Sequence, residues 1–170
     1  MKISKEIIIQ KDRNTVWNIV AEEFHNAYEW MSIVPRSVEK HGEIKDGAAV
    51  HGRVCDLSNK KEDGPQANEI ITYYNKDNFH FEFDVTPINA SSVLPIKRNH
   101  VSVRLEFISN DKTLLHWDAD AEIKTFGNLL SPILKLGLGK SFEEVLEELK
   151  YYAETGLPHP RKAAKLAKSA

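Results

Sequence analysis

Three runs in the middle of the chain alternate apolar and polar residues without a break, and they constrain the fold more than any other feature. Phe79, Phe81, Phe83 and Val85 interleave with His80, Glu82 and Asp84; Val101, Val103, Leu105 and Phe107 with Ser102, Arg104 and Glu106; Leu115, Trp117, Ala119, Ala121 and Ile123 with His116, Asp118, Asp120 and Glu122. Successive side chains of a strand point to opposite faces, so each run has one apolar and one polar side. The chain is therefore expected to build a sheet buried on one face and wet on the other, the habit of antiparallel strands.

Four further runs have strand composition: "KISKEIIIQ" (2–10), "RSVEKHGE", "AAVHGRVCDLS" and "ANEIITYYN". The segments "KDG", "NKKEDGP", "NKDN" and "SNDK" that separate the runs are short, polar turn chemistry, which predicts an antiparallel meander. Between the first strand and the meander the period changes. In "KDRNTVWNIVAEEF" the apolar residues Val16, Val20 and Phe24 recur at the spacing of a helix face, and Asp12 is placed to cap it. "HNAYEWMSIVP" is expected to form a second short helix that stops before Pro35.

Something must cover the buried face of the sheet. Ser131 followed by Pro132 starts a helix, and Gly156 with Pro158 stops it. Within it Leu134, Leu138, Phe142, Val145, Leu149 and Tyr152 recur every three or four residues, opposite Glu143, Glu144, Glu147, Glu148, Lys150 and Glu154. Gly137 and Gly139 interrupt this pattern, each at a cost of about 1 kcal/mol relative to Ala. They predict a kink that follows a twisted sheet, or space for a ligand, and Ser141 to Glu144 could restart the helix as a capping box.

With 170 residues, 41% hydrophobic and 28% charged, the chain fits one globular domain. Its net charge of −2 offers no sequence-wide attraction to nucleic acid or an anionic membrane. Arg161, Lys162, Lys165 and Lys168 lie after Gly156 with no acidic residue among them, which leaves −6 on the rest of the chain. The expected division is a domain over 1–157 and a flexible, solvated basic tail over 158–170, with a weak membrane or nucleic-acid contact as the tail's other reading. Cys55 alone excludes an internal disulfide and any multi-cysteine zinc site. No apolar run is long enough to span a bilayer and the N-terminus lacks the apolar core of a signal peptide, so a cytoplasmic location is expected.

The stretch "HGRVCDL" (51–57) poses a problem. In a strand Arg53 shares a face with Cys55 and Leu57. A buried guanidinium without a partner costs several kcal/mol, so that face is wet or an anion lies opposite. In "NEIITYY", Glu69 lies inside with Ile71 and Tyr73 in one register; in the other, Asn68, Ile70, Thr72 and Tyr74 are inside. Periodicity does not choose between them.

The order of elements, with "TVWNIVAEEFHNAYEW", "HGRVCDL", "NEIITYYN", "LLHWDADAEI" and "SFEEVLEELKYYAE", resembles the START-like helix-grip superfamily (SRPBCC), in particular its polyketide cyclase/dehydratase and lipid-transport branch, over about residues 3–155. The resemblance implies an α+β fold: a curved antiparallel sheet wrapped around the long C-terminal helix, two short helices after the first strand, and a cavity for an apolar or amphipathic molecule. It also implies that Arg53 and Glu69 face that cavity, which favours the first register. A pairing of 53 with 69 centres the turn near Lys61, within "NKKEDG". The bulky wall candidates are Trp30, Tyr73, Phe81, Phe83, Trp117, Phe126, Leu134, Leu138 and Phe142, and Arg53, Glu69 and Asn99 are the polar ones.

Function divides three ways. A carrier needs only an apolar cavity with a few polar anchors, and this is the preferred expectation: a small lipid, polyketide-like or aromatic ligand. A cyclase/dehydratase-type enzyme needs a convergent acid or base from Arg53, Glu69, Tyr73, Asn99 or a rim histidine. Alternation puts His51 on Arg53's face and His100 on the outer face with Ser102. A protein-interaction module would need an exposed apolar patch, and "TPINASSVLPIK" (86–97) is the one candidate; with "KDGAAV" (45–50) it is expected to rim the entrance. The seven histidines are dispersed, and no HExxH, P-loop, G-x-S-x-G or dinucleotide fingerprint is present, so neither metal nor cofactor is expected. Cys55 is expected to be a packing residue. Nucleic acid and integral membrane association are not expected, and the protein is expected to be a monomer or a homodimer.

Overall fold

The structure, a computed structural model, describes residues 1–45, 47–59, 64–90, 95–124 and 131–167, with the side chains of 131–133 and 166 left aside. Strand β1 (Lys2–Ile9) leads to a short helix α1 (Arg13–Trp17), a π-helical turn (Asn18–Glu22) and a 3-10 segment (Phe24–Glu29). Six strands follow: β2 (Arg36–Lys40), β3 (Gly52–Asp56), β4 (Gln66–Asn75), β5 (His80–Ile88), β6 (Ile96–Ser109) and β7 (Lys112–Ile123). Helices α2 (Ser131–Thr155) and α3 (Pro160–Ala167) end the chain.

The seven strands form one antiparallel sheet in the order β1-β7-β6-β5-β4-β3-β2, the expected meander with β1 added beside β7. Alternation sorts the faces as expected. Phe81, Phe83, Val101, Val103, Leu105, Leu115, Trp117, Ala119 and Ala121 are buried. Phe107 keeps the register, opposite buried Thr113, but lies near the end of the β6–β7 hairpin and is 54% exposed. Asp12 caps α1: the Thr15 N–H donates to its Oδ1 at 2.9 Å and the Thr15 hydroxyl to its Oδ2 at 2.6 Å. The expected second helix is the 3-10 segment, which ends at Glu29, short of Pro35.

Helix α2 runs without interruption through Gly137, Gly139 and Ser141, so the helix does not restart there. Its two halves pack differently. Leu146, Leu149 and Ala153 are at most 5% exposed, whereas Leu138, Phe142 and Val145 are half-buried. The helix is sealed onto the core at its C-terminal half and stands off the sheet at its N-terminal half. With α2 across the concave face, the architecture is an α+β helix-grip.

The segment after Leu157 makes contacts with the domain. Pro160–Ala167 is helical, Lys162 is buried, and its Nζ donates to the carbonyls of Met31 at 3.3 Å and Val34 at 3.1 Å. Arg161 pairs with Glu147 on α2 and lies 3.7 Å from the Glu148 carboxylate.

Candidate functional site

Where α2 stands off the sheet it leaves a cavity of about 530 Å³. The loop after the 3-10 segment contributes Met31, Ile33 and Val34; the sheet contributes Arg53, Glu69, Phe83, Val85, Asn99 and Trp117; α2 contributes Leu138, Ser141, Phe142 and Val145. The wall is mostly apolar, with a few polar groups at defined places, the usual make-up of a small-molecule pocket.

Register builds its polar floor. Arg53 lies opposite Glu69, Glu69 opposite Val85, and Val85 opposite Asn99. Directly opposed residues of antiparallel strands point to the same face, so these four form one row across the inner surface. The Arg53 Nε donates to Glu69 Oε2 at 2.7 Å and its Nη2 lies 2.6 Å from the same oxygen. Its Nη1 donates to the Phe24 carbonyl at 2.5 Å, and the guanidinium lies 3.9 Å over the Phe24 ring. Both side chains are buried. The guanidinium on the apolar face is thus neutralised, bonded to backbone and stacked at once, which is how a buried charge is tolerated.

Gly52 makes this approach feasible. A Cβ there would stand 2.2 Å from the Glu69 carbonyl oxygen, so only glycine lets β3 run this close to β4. Cys55, one inward position along, is fully buried, and its thiol is pushed up to about 12, chiefly by burial with the Arg53 charge opposing. It is a packing residue in geometry and in protonation.

Two other polar groups on the wall have no hydrogen-bond partner among the described residues. Trp117 Nε1 and Asn99 Oδ1 are buried without a hydrogen bond. One is a donor and the other an acceptor, and each is a group that interiors ordinarily satisfy.

Seven of the expected site residues meet at this cavity: Arg53, Glu69, Phe83, Asn99, Trp117, Leu138 and Phe142. Four others lie elsewhere. Tyr73 is 40% exposed on the outer face, beside the His80 ring, because the β4–β5 register shifts between Ile71 and Tyr73 and reverses the alternation. Its neighbour Tyr74 goes inside instead, accepting from Trp17 Nε1 at 3.2 Å. Phe81 packs edge-on against Trp17 and Phe24, and Trp30 is buried core; neither lines the cavity. Leu134 is half-buried on the first turns of α2, away from the lining. Phe126 falls outside the described residues, as do Lys61 and the turn expected around it.

The glycines of α2 do not open this space. Nothing lies within 4 Å of a Cβ at Gly137, and Gly139 faces Lys5 on β1, on another side of the helix from the cavity. His51 does not reach the cavity either: its Nδ1 is 2.6 Å from the Glu43 carbonyl oxygen. His100 lies on the outer face, as alternation predicts, 2.9 Å from Asp84. Two charged residues went unanticipated. Glu148 is 1% exposed and accepts from the Ser32 N–H at 2.8 Å, and Lys162 holds the backbone of the loop that lines the cavity. The glutamate-rich face of α2 gave no sign that one of its members turns inward.

A family profile described as polyketide cyclase/dehydrase and lipid transport matches residues 1–154. No curated protein sequence matches the chain significantly. Among solved structures, a START superfamily protein from Mycobacterium smegmatis superposes with a TM-score of 0.71 at 15% identity, covering 90% of this chain and 97% of that one. An uncharacterised protein from Bacillus thuringiensis gives 0.64 at 14% identity, covering 90% and 98%. A protein from Nitrosospira multiformis gives 0.63 at 14%, covering 92% and 98%. At these identities the likeness is one of fold. No helix among the described residues is long and apolar enough to cross a membrane.

Proposed function

The chain belongs to the polyketide cyclase/dehydrase and lipid-transport family, and from that premise we propose that it binds one small, largely apolar molecule carrying oxygen functions, between α2 and the sheet. Both halves of the family's description concern apolar small molecules. The observation that carries the reading is the pair of unpartnered polar groups on an otherwise apolar wall. A buried donor or acceptor left without a partner costs about 1–3 kcal/mol. Trp117 Nε1–H and Asn99 Oδ1 both carry that cost, and a ligand recovers it by presenting an acceptor to the indole and a donor to the amide. The remaining wall contributes hydrophobic burial, and about 530 Å³ suits a ligand of modest size.

Arg53 and Glu69 take a supporting part. Their bonds to each other and to Phe24 use the charge internally, so they fix the floor of the site rather than wait for a counter-ion. The test is titration with a neutral environment-sensitive dye, together with native mass spectrometry of the protein as purified. Saturable binding at one site per chain, displaced by oxygenated apolar compounds, is the expected result. Absence of any saturable site for neutral apolar molecules would overturn the reading.

A further inference from the structure

Helix α3 lies beyond the part of the chain that the family profile matches, yet it helps form a second, smaller pocket of about 150 Å³. Among the described residues its polar lining is Ser32, Ser58, Asn59, Lys162 and Lys165, with no acidic residue. Lys162 is 4% exposed. An ammonium has three N–H donors, and here two go to the carbonyls of Met31 and Val34. Among the described residues it makes no ion pair. Glu148 acts on it from a distance, with Oε2 taken by the Ser32 N–H and Oε1 turned to Arg161 at 3.7 Å. A buried cation whose carboxylate neighbour is not in direct contact is a costly arrangement. Burial accordingly holds the Lys162 ammonium below its ordinary value. Three residues further along α3, Lys165 brings a second positive charge, its Nζ 3.5 Å from the Ser32 hydroxyl.

This pocket adjoins the large cavity. Ile33 and Leu57 line both, and the carbonyls that hold Lys162 belong to Met31 and Val34, whose residues also line the apolar side. We propose that the small pocket seats the anionic head of the cavity's ligand, which is therefore an amphiphile with a carboxylate or phosphate at one end of an apolar body. The inference rests on the ligand-binding reading above and adds the class of ligand. The body lies under α2, passes over Ile33 and Leu57, and ends against Lys162, Lys165 and the hydroxyls and amide beside them.

The experiment uses the full-length chain and displacement of a neutral dye. Oleic acid, oleoyl lysophosphatidic acid and oleyl alcohol compete in parallel, and sodium acetate and inorganic phosphate are added alone as small anions. At low ionic strength at least one of the two acids should displace about tenfold more tightly than the alcohol, a preference of charge-assisted contact that weakens with salt. Preference for only the carboxylate or only the phosphate identifies the head. Lys165→Gln should cut the acid-to-alcohol ratio to about threefold or less, and Lys162→Met should abolish it. Lys76→Gln, the same charge change in the β4–β5 turn, should leave the ratio intact. Should Lys162→Met fail to fold, Lys165→Gln carries the test. Equal displacement by acids and alcohol, an unchanged ratio in Lys165→Gln, or an equal loss in Lys76→Gln would overturn the inference while sparing the cavity reading. Binding of acetate or phosphate as tight as that of the long-chain acids would also overturn it, since the apolar body would then contribute nothing. Failure of the wild type to bind the neutral dye removes both.

Discussion

At the scale of single residues the decisive contact is Arg53 with Glu69. Two nitrogens of the guanidinium converge on one carboxylate oxygen and a third reaches backbone, all within a dry interior. Removing either partner leaves the other charge buried and unpaired, at a cost of roughly 3–5 kcal/mol. Arg53→Met and Glu69→Gln should each destabilise the fold by that order, and the double variant by less than their sum. Denaturant melts of the four proteins measure the coupling; a coupling near zero would mean that the pair contributes nothing jointly. Cys55, beside the pair, gives a pH signature. Its folded value of about 12 lies above the ordinary 9.0, so the fold favours the neutral thiol. That contribution is complete below about pH 9 and is lost as pH rises from there toward 12. The stability gap between wild type and Cys55→Ala should therefore narrow between pH 8 and 11, and a thiol reagent at pH 8 should react only as fast as the chain opens. Rapid labelling of the native protein would contradict this burial.

At the scale of elements the strands were legible from sequence because alternation is a two-residue code that packing rarely overrides. The 53–69 pairing was legible once the resemblance had chosen the face of Glu69. Tyr73 was not, since a bulge is a backbone event that leaves no mark in an apolar-polar pattern: "TYY" fits either face, and the extra residue decides which tyrosine is inside. The packing of the segment after Leu157 is illegible for another reason. "HPRKAAKLAKSA" has too few large apolar groups to order itself, and an eight-residue helix is not stable alone. It is held instead by polar bonds to distant partners, Lys162 to the carbonyls of Met31 and Val34 and Arg161 to Glu147, which no local pattern encodes. Truncation after Leu157 should thus cost about 1–2 kcal/mol, the worth of two or three charge-assisted bonds against the relief of a buried ammonium. A denaturant midpoint that does not move would return the segment to the status of a solvated tail.

At the scale of the molecule the question is whether the gap under α2 is space kept open for a ligand. The packing contrast along α2 bears on it: the helix is tight at Leu146, Leu149 and Ala153 and loose at Leu138, Phe142 and Val145, facing the same sheet. A sheet that curves around a helix touches it closely over only part of its length, so a void at one end follows from the architecture, and function needs only to line it. Ala67 on β4 tests this, because it is 7% exposed and lines the cavity. Ala67→Leu adds three carbons. Entering true space, they gain hydrophobic burial of about 0.8 kcal/mol per carbon at most, and the fold should become more stable by about 1–2 kcal/mol. Entering a filled interior, they strain it and cost about 1–3 kcal/mol. The sign of the change in a denaturant melt therefore reads the state of the interior, and dye affinity measured on the same protein reads its use. The expected outcome is a gain in stability with at least about a tenfold loss of dye binding, since the leucine occupies volume the ligand requires. A loss of stability with undiminished binding would show that the ligand, if one binds, sits elsewhere than under α2.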